Sequence, residues 1–274
     1  MKHTDHEILC WDKKSHHLKT AHLLGEEPLS IWIEGKPYSV IMRTPGNELA
    51  HAAGFCLGEG IVDHPDDLNT IGYCDDSETN VVTITLNEAR RKQITDIIHR
   101  RGFISQTSCG ICGKEVVKDL YQMIQPIQKE LQIDAEKALA CLESLPELQP
   151  LREKTRASHA AVIYGSMFEK LSVAEDVGRH NALDKAIGQL FLEKRLDSAT
   201  LLVLSSRISY ELVQKAARAR IPIILAVSRP TSLAVALASR LNITIGCLAD
   251  DTGLYVYCGK NRFFGEGFPG TAAK

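Results

Sequence analysis

Residues 200–227, TLLVLSSRISYELVQKAARARIPIILAV, decide the fold of this chain. Two short apolar runs, residues 200–204 and 222–227, flank a segment with helical periodicity over residues 210–220. Apolar strands that alternate with amphipathic helices form sheets that are covered on both faces. The stretch therefore predicts a strand-helix-strand unit of an α/β sheet.

The same alternation continues on both sides of this unit. The sequence predicts further strands over residues 159–164 and 243–247, further helices over 181–193 and 232–241, and a closing hairpin that ends at 257. We therefore predict one α/β domain over residues 106–274. It includes a glycine-hinged loop at residues 106–114 and a Gly-rich C-terminal tail.

The first third of the chain has a different pattern. Residues 30–42 alternate as a hairpin, residues 47–60 and 86–101 have helical spacing, and two more strands are predicted at 70–73 and 80–86. These elements predict a small α+β domain over residues 25–105. Residues 1–24 are polar with scattered histidines and predict a flexible N-terminal arm.

Composition excludes several classes of protein. The 274 residues are 44% hydrophobic and 24% charged with a net charge of −2, as in ordinary globular proteins, and no basic stripe favours a nucleic-acid partner. No apolar run approaches the ~18 residues of a membrane span, and the N-terminus lacks the apolar core of a signal peptide. We expect a cytoplasmic protein with no membrane partner, whose eight cysteines are mostly reduced.

Polar residues follow two neighbouring strands of the predicted sheet. Ser206 and Arg207 follow one strand, Ser228 and Arg229 follow the next, and each pair leads into a helix. Ligands of open α/β sheets bind beyond the carboxyl ends of the strands, where helix N-termini attract anions. The pattern favours a diphosphate or nucleotide ligand, although the hydroxyl residues that precede these helices, such as Thr231, could equally serve as helix caps.

The segment EDVGRHNALDK, residues 175–185, is the densest polar cluster in the chain. Arg179 and His180 fall at the start of a predicted helix, where they would supply an anion clamp and an imidazole that titrates near neutral pH. The alternative is a solvated first turn with Asn181 as its cap. The density of charged residues favours the functional interpretation.

Cys109 and Cys112 form a C-x-x-C pair on a loop that leads into a predicted helix. Neighbouring glycines give the loop freedom, while the helix N-terminus and a lysine favour the thiolate that a sulfur carrier needs. Half a zinc site, a redox dithiol and two incidental thiols are the alternatives. From the residues alone, a sulfur carrier and a metal site are equally supported.

Five groups of residues, taken in order, resemble the FdhD family of formate dehydrogenase accessory sulfurtransferases. The groups are Arg43-Thr-Pro-Gly46 with Gly54-Phe55 and Gly58-Glu-Gly60, Ser108-Cys-Gly-Ile-Cys-Gly-Lys114, residues 175–182, residues 211–218 and residues 230–235. The resemblance extends from about residue 26 to residue 257. It implies a cytidine-deaminase-like, three-layer α/β/α fold for the C-terminal domain.

The resemblance also implies an activity and its partners. A cytoplasmic member would take sulfur from a cysteine desulfurase as a persulfide on Cys109, with Cys112 as its assistant or alternate. It would deliver that sulfur to a bound acceptor, the molybdenum or tungsten bis-molybdopterin guanine dinucleotide cofactor, and so activate formate dehydrogenase. The guanine nucleotide portion would bind in the C-terminal domain, and no permanently bound metal is implied. A homodimer is an open alternative to a monomer.

The implied cofactor loop differs from the family pattern. By resemblance, it comprises Cys247, Leu248, Ala249, Asp250, Asp251 and Thr252. Arginines are usual in this loop, a small residue is usual at Arg229, and a Thr-Gly-Gly-x-His run is usual where this chain has Thr155-Arg-Ala-Ser-His159. Loss of positive charge weakens a diphosphate site, so we expect Arg229, Arg207 or Arg156 to compensate.

Two other functions compete with the one that the resemblance implies. A zinc deaminase requires H-x-E together with P-C-x-x-C, but alanines follow His159 and Ser108 precedes Cys109. The other rival is a chaperone that binds the cofactor and whose cysteines are structural or bind zinc. Persulfide formation at Cys109 would separate a carrier from such a chaperone.

Overall fold

The computed structural model describes residues 2–75, 78–101, 124–128, 131–250 and 253–266. The strands are β1 His3–Trp11, β2 His16–Leu24, β3 Glu27–Ile33, β4 Lys36–Arg43, β5 Leu68–Asp75, β6 Glu78–Leu86, β7 Ile133–Asp134, β8 His159–Tyr164, β9 Lys170–Asp176, β10 Leu201–Leu204, β11 Ile223–Ala226, β12 Thr244–Leu248, β13 Leu254–Cys258 and β14 Phe263–Phe264. The α-helices are α1 Glu48–Glu59, α2 Glu88–Arg101, α3 Ala135–Glu143, α4 Pro150–Thr155, α5 Arg179–Leu192, α6 Tyr210–Arg218 and α7 Ser232–Arg240.

The largest sheet has the strand order β13-β12-β11-β10-β8-β9. Strands β10, β11 and β12 are parallel to one another, and the remaining pairs are antiparallel. The strands and helices predicted from residue 159 onward are present within one or two residues at most ends. Strand β9 was not predicted, because its last two residues, Glu175 and Asp176, belong to the polar segment over residues 175–185.

Helices cover both faces of this sheet. Leu202 and Leu204 of β10 belong to the core formed with α5, α6 and α7, while Leu201 and Val203 belong to the core formed with α3. Side chains of a strand alternate between its two faces, which explains why a wholly apolar strand is needed here. The predicted α/β class is confirmed, and the cytidine-deaminase-like arrangement stays a prediction.

The N-terminal third forms a four-stranded sheet of order β4-β3-β6-β5, with α1 packed against it. Helix α1 also packs along α5 of the α/β part, so residues of both predicted domains belong to one hydrophobic core. At Gly54 and Gly188 the helices approach so closely that an added Cβ would overlap the carbonyl oxygens of Asp184 and Ala50. These glycines let the two helix backbones meet.

Residues 3–24 form an antiparallel hairpin, in which β1 pairs with β2 from His3 opposite Leu24 to Trp11 opposite His16. At its turn, the carboxylate of Asp12 accepts backbone hydrogen bonds from Lys14 and Ser15. The sequence predicted an arm without strands, because the segment is polar on both faces and lacks the apolar alternation of a half-buried strand. Among the helices of the described residues, none combines the length and apolar character needed to cross a bilayer.

Candidate functional site

One edge of the large sheet brings together most of the predicted site residues. Three parallel strands end there, and the loops that follow carry residues 205–209, 227–231 and 249–250. Strand β8 starts at the same edge with His159, which pairs with the last residue of β9, and the start of α5 follows three residues later. Arg179, His180, Ser206, Arg207, Ser228, Arg229 and residues 247–250 therefore lie along one edge. Residues 251 and 252 and both cysteines of the C-x-x-C pair lie outside the described residues.

The loops after β10 and β11 are fixed to each other. Ile208 and Pro230 form a parallel bridge, and the backbone N–H of Thr231 donates to the carbonyl of Ile208 at 3.0 Å. The hydroxyl of Thr231 accepts from the N–H of Ala234 at 3.2 Å. The capping role considered for Thr231 is therefore confirmed, and the N-terminus of α7 has a side-chain acceptor of its own.

The N-termini of α5 and α6 are different, because neither N-cap residue, Gly178 or Ser209, makes a side-chain capping hydrogen bond. A helix N-terminus without a side-chain cap favours an anion through the positive end of the helix dipole. Between them lies His180, whose Nε2 is 3.4 Å from Ser209 Oγ and 2.8 Å from Glu211 Oε2. The hydrogen bond from His180 lowers the pKa of the Glu211 carboxyl. Glu211 had no predicted role, although it stands in a family motif.

Arg179 and His159 each have a nitrogen atom without a hydrogen-bond partner, in the portion that the structure describes, near the starts of α5 and α6, a region called the corner below. Nε of Arg179 and Nδ1 of His159 are buried and have no hydrogen-bond partner among the described residues. Burial lowers the pKa of His159, and the charges of Arg152, Arg179 and His180 lower it further. Buried polar atoms without partners are uncommon in native proteins and call for an explanation. A bound anion would supply one here.

Arg229 lies at the other end of the edge, in a cluster whose members supply its hydrogen bonds and its counter-charge. Its guanidinium donates to the carbonyl of Leu248 and to Asp250 Oδ1, the latter at 2.6 Å, and stacks 4.6 Å from the ring centroid of Tyr255. The hydroxyl of Tyr255 donates to Asp250 Oδ2 at 3.3 Å. Asp250 therefore balances the charge of Arg229, whereas Arg207 is exposed and makes no ion pair within the described ranges.

Two predicted contact residues lie beneath the edge. Cys247 is fully buried, and burial raises the pKa of its thiol to about 12. Ser206 is also buried, and its hydroxyl donates to the carbonyl of Arg207 at 3.1 Å. Ser228 is exposed, and Leu248 and Ala249 are half-buried. The surface of the site is therefore formed by Arg207, Ser228 and the α5 corner more than by residues 247–249.

A buried polar network holds the start of α5 in place. Lys185 Nζ is 2.6 Å from Asp176 Oδ2 and donates to the Thr44 carbonyl at 2.6 Å. Asp176 accepts in turn from the N–H of Thr44 at 3.1 Å and from the N–H of Gly178 at 2.9 Å. Burial lowers the pKa of Lys185, an effect that Asp176 opposes. Asp176 and Lys185, which belong to the polar segment that predicted a functional site, therefore have a structural role and anchor the helix that carries Arg179 and His180.

The predicted alternative with Asn181 as helix cap is wrong, because Gly178 occupies the N-cap position. Asn181 is buried, and its amide donates to the Met42 carbonyl at 2.8 Å and to Asp176 Oδ1 at 2.9 Å. Asn181 therefore ties α5 to the N-terminal sheet. The resemblance at residues 43–46 and 175–182 covers Thr44, Asp176 and Asn181 of this network as well as Arg179 and His180.

A second buried pair joins α5 to α6. Lys215 Nζ is 2.7 and 2.8 Å from the two carboxylate oxygens of Asp184, and both side chains are buried. Burial by itself lowers the pKa of Lys215, but the charges of Asp184 and Glu59 outweigh it and raise that pKa. Gly58 makes room for the ammonium group, since a Cβ there would lie 2.9 Å from Nζ. Lys215 and Gly58, which stand in the family motifs, therefore have a structural role here.

Comparison with known proteins agrees with this assignment of motifs. The model of the FdhD/NarQ family matches residues 24–264. Relatives named sulfur carrier protein FdhD include one from Streptomyces avermitilis, 37% identical over 250 residues (88% of each chain), and one from Mycobacterium bovis, 36% identical over 252 residues (88% of this chain and 91% of the relative). A crystal structure from Desulfotalea psychrophila, described as a formate dehydrogenase accessory protein, has the same fold with a TM-score of 0.77 at 19% identity, over 96% of this chain and 100% of that one. By the extent of the family match and the identity of these relatives, the chain belongs to the FdhD/NarQ family.

Proposed function

We propose that this protein is a sulfur carrier that activates formate dehydrogenase. It accepts sulfur from a cysteine desulfurase as a persulfide on Cys109 and delivers it to a molybdenum or tungsten bis-molybdopterin guanine dinucleotide cofactor held at the polar edge of the large sheet. The relatives named sulfur carrier protein FdhD support the carrier role. The observation that carries the acceptor site is the corner at α5 and α6, where Arg179 and His159 have buried atoms without partners.

The corner suits the diphosphate of a guanine dinucleotide in charge and in geometry. Two helix N-termini without side-chain caps converge there, and the guanidinium of Arg179 can offer paired donors to phosphate oxygens. Arg229 is less suited to this task, since Asp250 already neutralises it. Arg179, together with the exposed Arg207 of the loop after β10, is therefore the better candidate to replace the arginines that are missing from residues 249–252.

Chain length allows the cysteine pair to reach this edge. Residues 124–128 are anchored at the other end of the parallel strands, just before β12 begins. There the Ile127 N–H donates to the Leu241 carbonyl at 2.9 Å, and Asn242 donates to the Ile127 carbonyl at 2.7 Å. The five-residue strand β12 separates the two ends of the parallel strands by about 17 Å. The twelve residues from Cys112 to Ile124 can span at most about 40 Å, so covalent geometry permits delivery.

The sulfur chemistry assigns different tasks to the two cysteines. The Cys109 thiolate attacks the outer sulfur of the desulfurase persulfide, takes that sulfur and releases the desulfurase thiol. Attack by the Cys112 thiolate on the inner sulfur of the Cys109 persulfide would then release hydrosulfide and leave a Cys109–Cys112 disulfide. A dithiol reductant would have to supply two electrons and two protons to restore the Cys109–Cys112 dithiol before another cycle, so Cys112 should matter for release and not for loading.

Mass spectrometry of the intact protein after incubation with a desulfurase and cysteine tests the loading step. We expect an adduct of about 32 Da that is lost in Cys109→Ala and kept in Cys112→Ala. Cys74→Ala is the control, because Cys74 is a free and exposed cysteine outside the C-x-x-C pair. An adduct that persists in Cys109→Ala, or none in the wild type, would contradict the carrier function and favour a cofactor-binding chaperone.

Binding of GDP, measured by titration calorimetry, tests the acceptor site separately. Arg179→Gln should weaken GDP by at least about tenfold, the cost of one lost charged contact to phosphate. Arg195→Gln is the control, because Arg195 is an exposed arginine that pairs with Glu193 just before the Leu196–Ser198 turn, away from the site edge. Equal GDP affinity in the Arg179→Gln and Arg195→Gln variants would remove the diphosphate from this corner.

A further inference from the structure

Three potential metal ligands share one face of the N-terminal hairpin. Asp5 lies directly opposite His22 in the β1–β2 register, and His3 precedes Asp5 by two residues. Residues two apart in a strand point to the same face, and directly paired residues have Cβ atoms about 4.5–5.5 Å apart. The backbone register therefore brings the three side chains together at the open end of the hairpin, far from its turn at residues 12–15.

The side chains are close enough for one ion. A ring nitrogen of each histidine and a carboxylate oxygen of Asp5 all lie within 4.8 Å of one another. His22 Nδ1 is 2.6 Å from Asp5 Oδ1, and the rings of His3 and His22 are 5.5 Å apart in an edge-on arrangement. Nδ1 of His3 is buried without a hydrogen-bond partner, so no bond in the described part of the chain occupies that nitrogen.

A plain ion pair explains only part of this arrangement. The Asp5 and His22 side chains are 66% and 42% exposed, and ion pairs at such exposure contribute at most about 1 kcal/mol. Such a pair gives no reason for a second imidazole beside it. A shared cation would engage all three groups.

The donor set selects the class of metal. Two imidazoles and one carboxylate suit borderline ions such as Zn²⁺, Ni²⁺ or Cu²⁺, whereas Ca²⁺ and Mg²⁺ favour oxygen ligands. Three protein ligands also leave a coordination position open for water or another donor. The order of affinities among such ions places Zn²⁺ among the tighter binders.

We propose that His3, Asp5 and His22 bind a divalent first-row transition metal, represented by Zn²⁺, at the root of the hairpin. All three residues precede the region that the family model matches, residues 24–264. The site is therefore an addition to the family body and does not depend on the proposed sulfur chemistry. The ion would tie β1 to β2 beside the body of the protein, on which β2 contacts α4.

Titration calorimetry with ZnCl₂ on the full chain tests the proposal. The starting protein carries Cys109→Ser and Cys112→Ser, so that the C-x-x-C pair cannot contribute a zinc site. We expect one equivalent of zinc to bind, and His3→Asn with His22→Asn to weaken this binding by at least about tenfold. The matched control replaces His16 and His17 with Asn, because these histidines lie on the same hairpin but near its turn.

Cobalt provides an independent readout of the ligands. Co²⁺ at the proposed site should give visible d–d bands without the near-ultraviolet charge-transfer band that a thiolate produces. The bands should disappear in the His3→Asn, His22→Asn protein and persist in the His16→Asn, His17→Asn protein. The proposal is overturned if the starting protein binds no zinc, if the His3 and His22 changes leave binding intact, or if both pairs of changes weaken it equally.

Discussion

Replacement of Gly188 by alanine tests whether the close approach of α1 and α5 organises the fold. Helix propensity alone predicts that Gly188→Ala, inside a 14-residue helix, stabilises the protein by about 1 kcal/mol. Packing predicts the opposite, because the new Cβ would overlap the carbonyl oxygen of Ala50 and backbone atoms cannot rotate away. The sign of the change in unfolding free energy therefore distinguishes the two effects.

The magnitude follows from the adjustment that the helices must make. Room for a methyl group requires α1 and α5 to separate by roughly 1–2 Å, and a gap of 0.5–1 Å already forfeits about a quarter to a half of a dispersion contact. Overpacking of a core costs about 1–3 kcal/mol, and displacement of two helices belongs at or above the upper end of that range. After the gain in propensity, we expect a net loss of about 2–3 kcal/mol and a fall in Tm of roughly 5 °C or more.

Urea and thermal unfolding, followed by circular dichroism, measure this loss. Gly72→Ala is the matched control, because no atom lies within 4 Å of a Cβ added at that strand position. It should change stability by no more than about 0.5 kcal/mol. A Gly188→Ala protein that is as stable as the wild type, or more stable, would refute the packing argument.

Three further outcomes follow from buried groups. Lys215→Met leaves Asp184 buried without its cation and should cost about 3–5 kcal/mol of unfolding free energy in urea, whereas replacing both residues with apolar ones should restore most of it. Burial, with nearby cations, lowers the pKa of His51 well below 6.5, so below pH 6.5 the unfolded chain binds a proton that the folded chain does not bind. The unfolding free energy should therefore fall by about 1.4 kcal/mol per pH unit as the pH drops below 6.5, and His51→Leu should flatten that slope. An unchanged slope in pH-dependent urea melts of the His51→Leu protein would argue against this role of His51. Iodoacetamide at pH 8 should label exposed Cys74 and spare Cys247, whose pKa burial raises to about 12; rapid labelling of Cys247 in a peptide map of the native protein would show that it is accessible.

The sequence predicted those strands and helices whose pattern of apolar residues follows directly from which of their faces are buried. Strands β10 and β11 are apolar throughout because both faces are covered, and the order of β10, β11 and β12 along the chain placed the polar loops at one edge. The hairpin of β1 and β2 could not be predicted in this way, because it buries no continuous face. Its ligand set, with His3 and Asp5 two apart, becomes visible only once the register is known.

The site was harder to predict than the fold because charge density does not separate a ligand site from a buried network. Arg179 and His180 lie at the start of a helix as predicted, but Asp176 and Lys185 from the same segment pair with each other inside the protein. Arg229 was expected to supply missing positive charge, yet its partner Asp250 is 21 residues away in sequence. Pairings over such separations depend on the tertiary structure.

The packing of α1 on α5 also bears on how the chain is made. Helix α1 is complete at Glu59, but its partner α5 ends only at Leu192. At a translation rate of about 5–20 residues per second, roughly 130 residues take about 7–27 seconds to follow. Throughout that interval the apolar face of α1 on the nascent chain lacks α5. We expect ribosome-associated chaperones to bind nascent chains that end between these two helices, and to release them once Leu192 has left the exit tunnel.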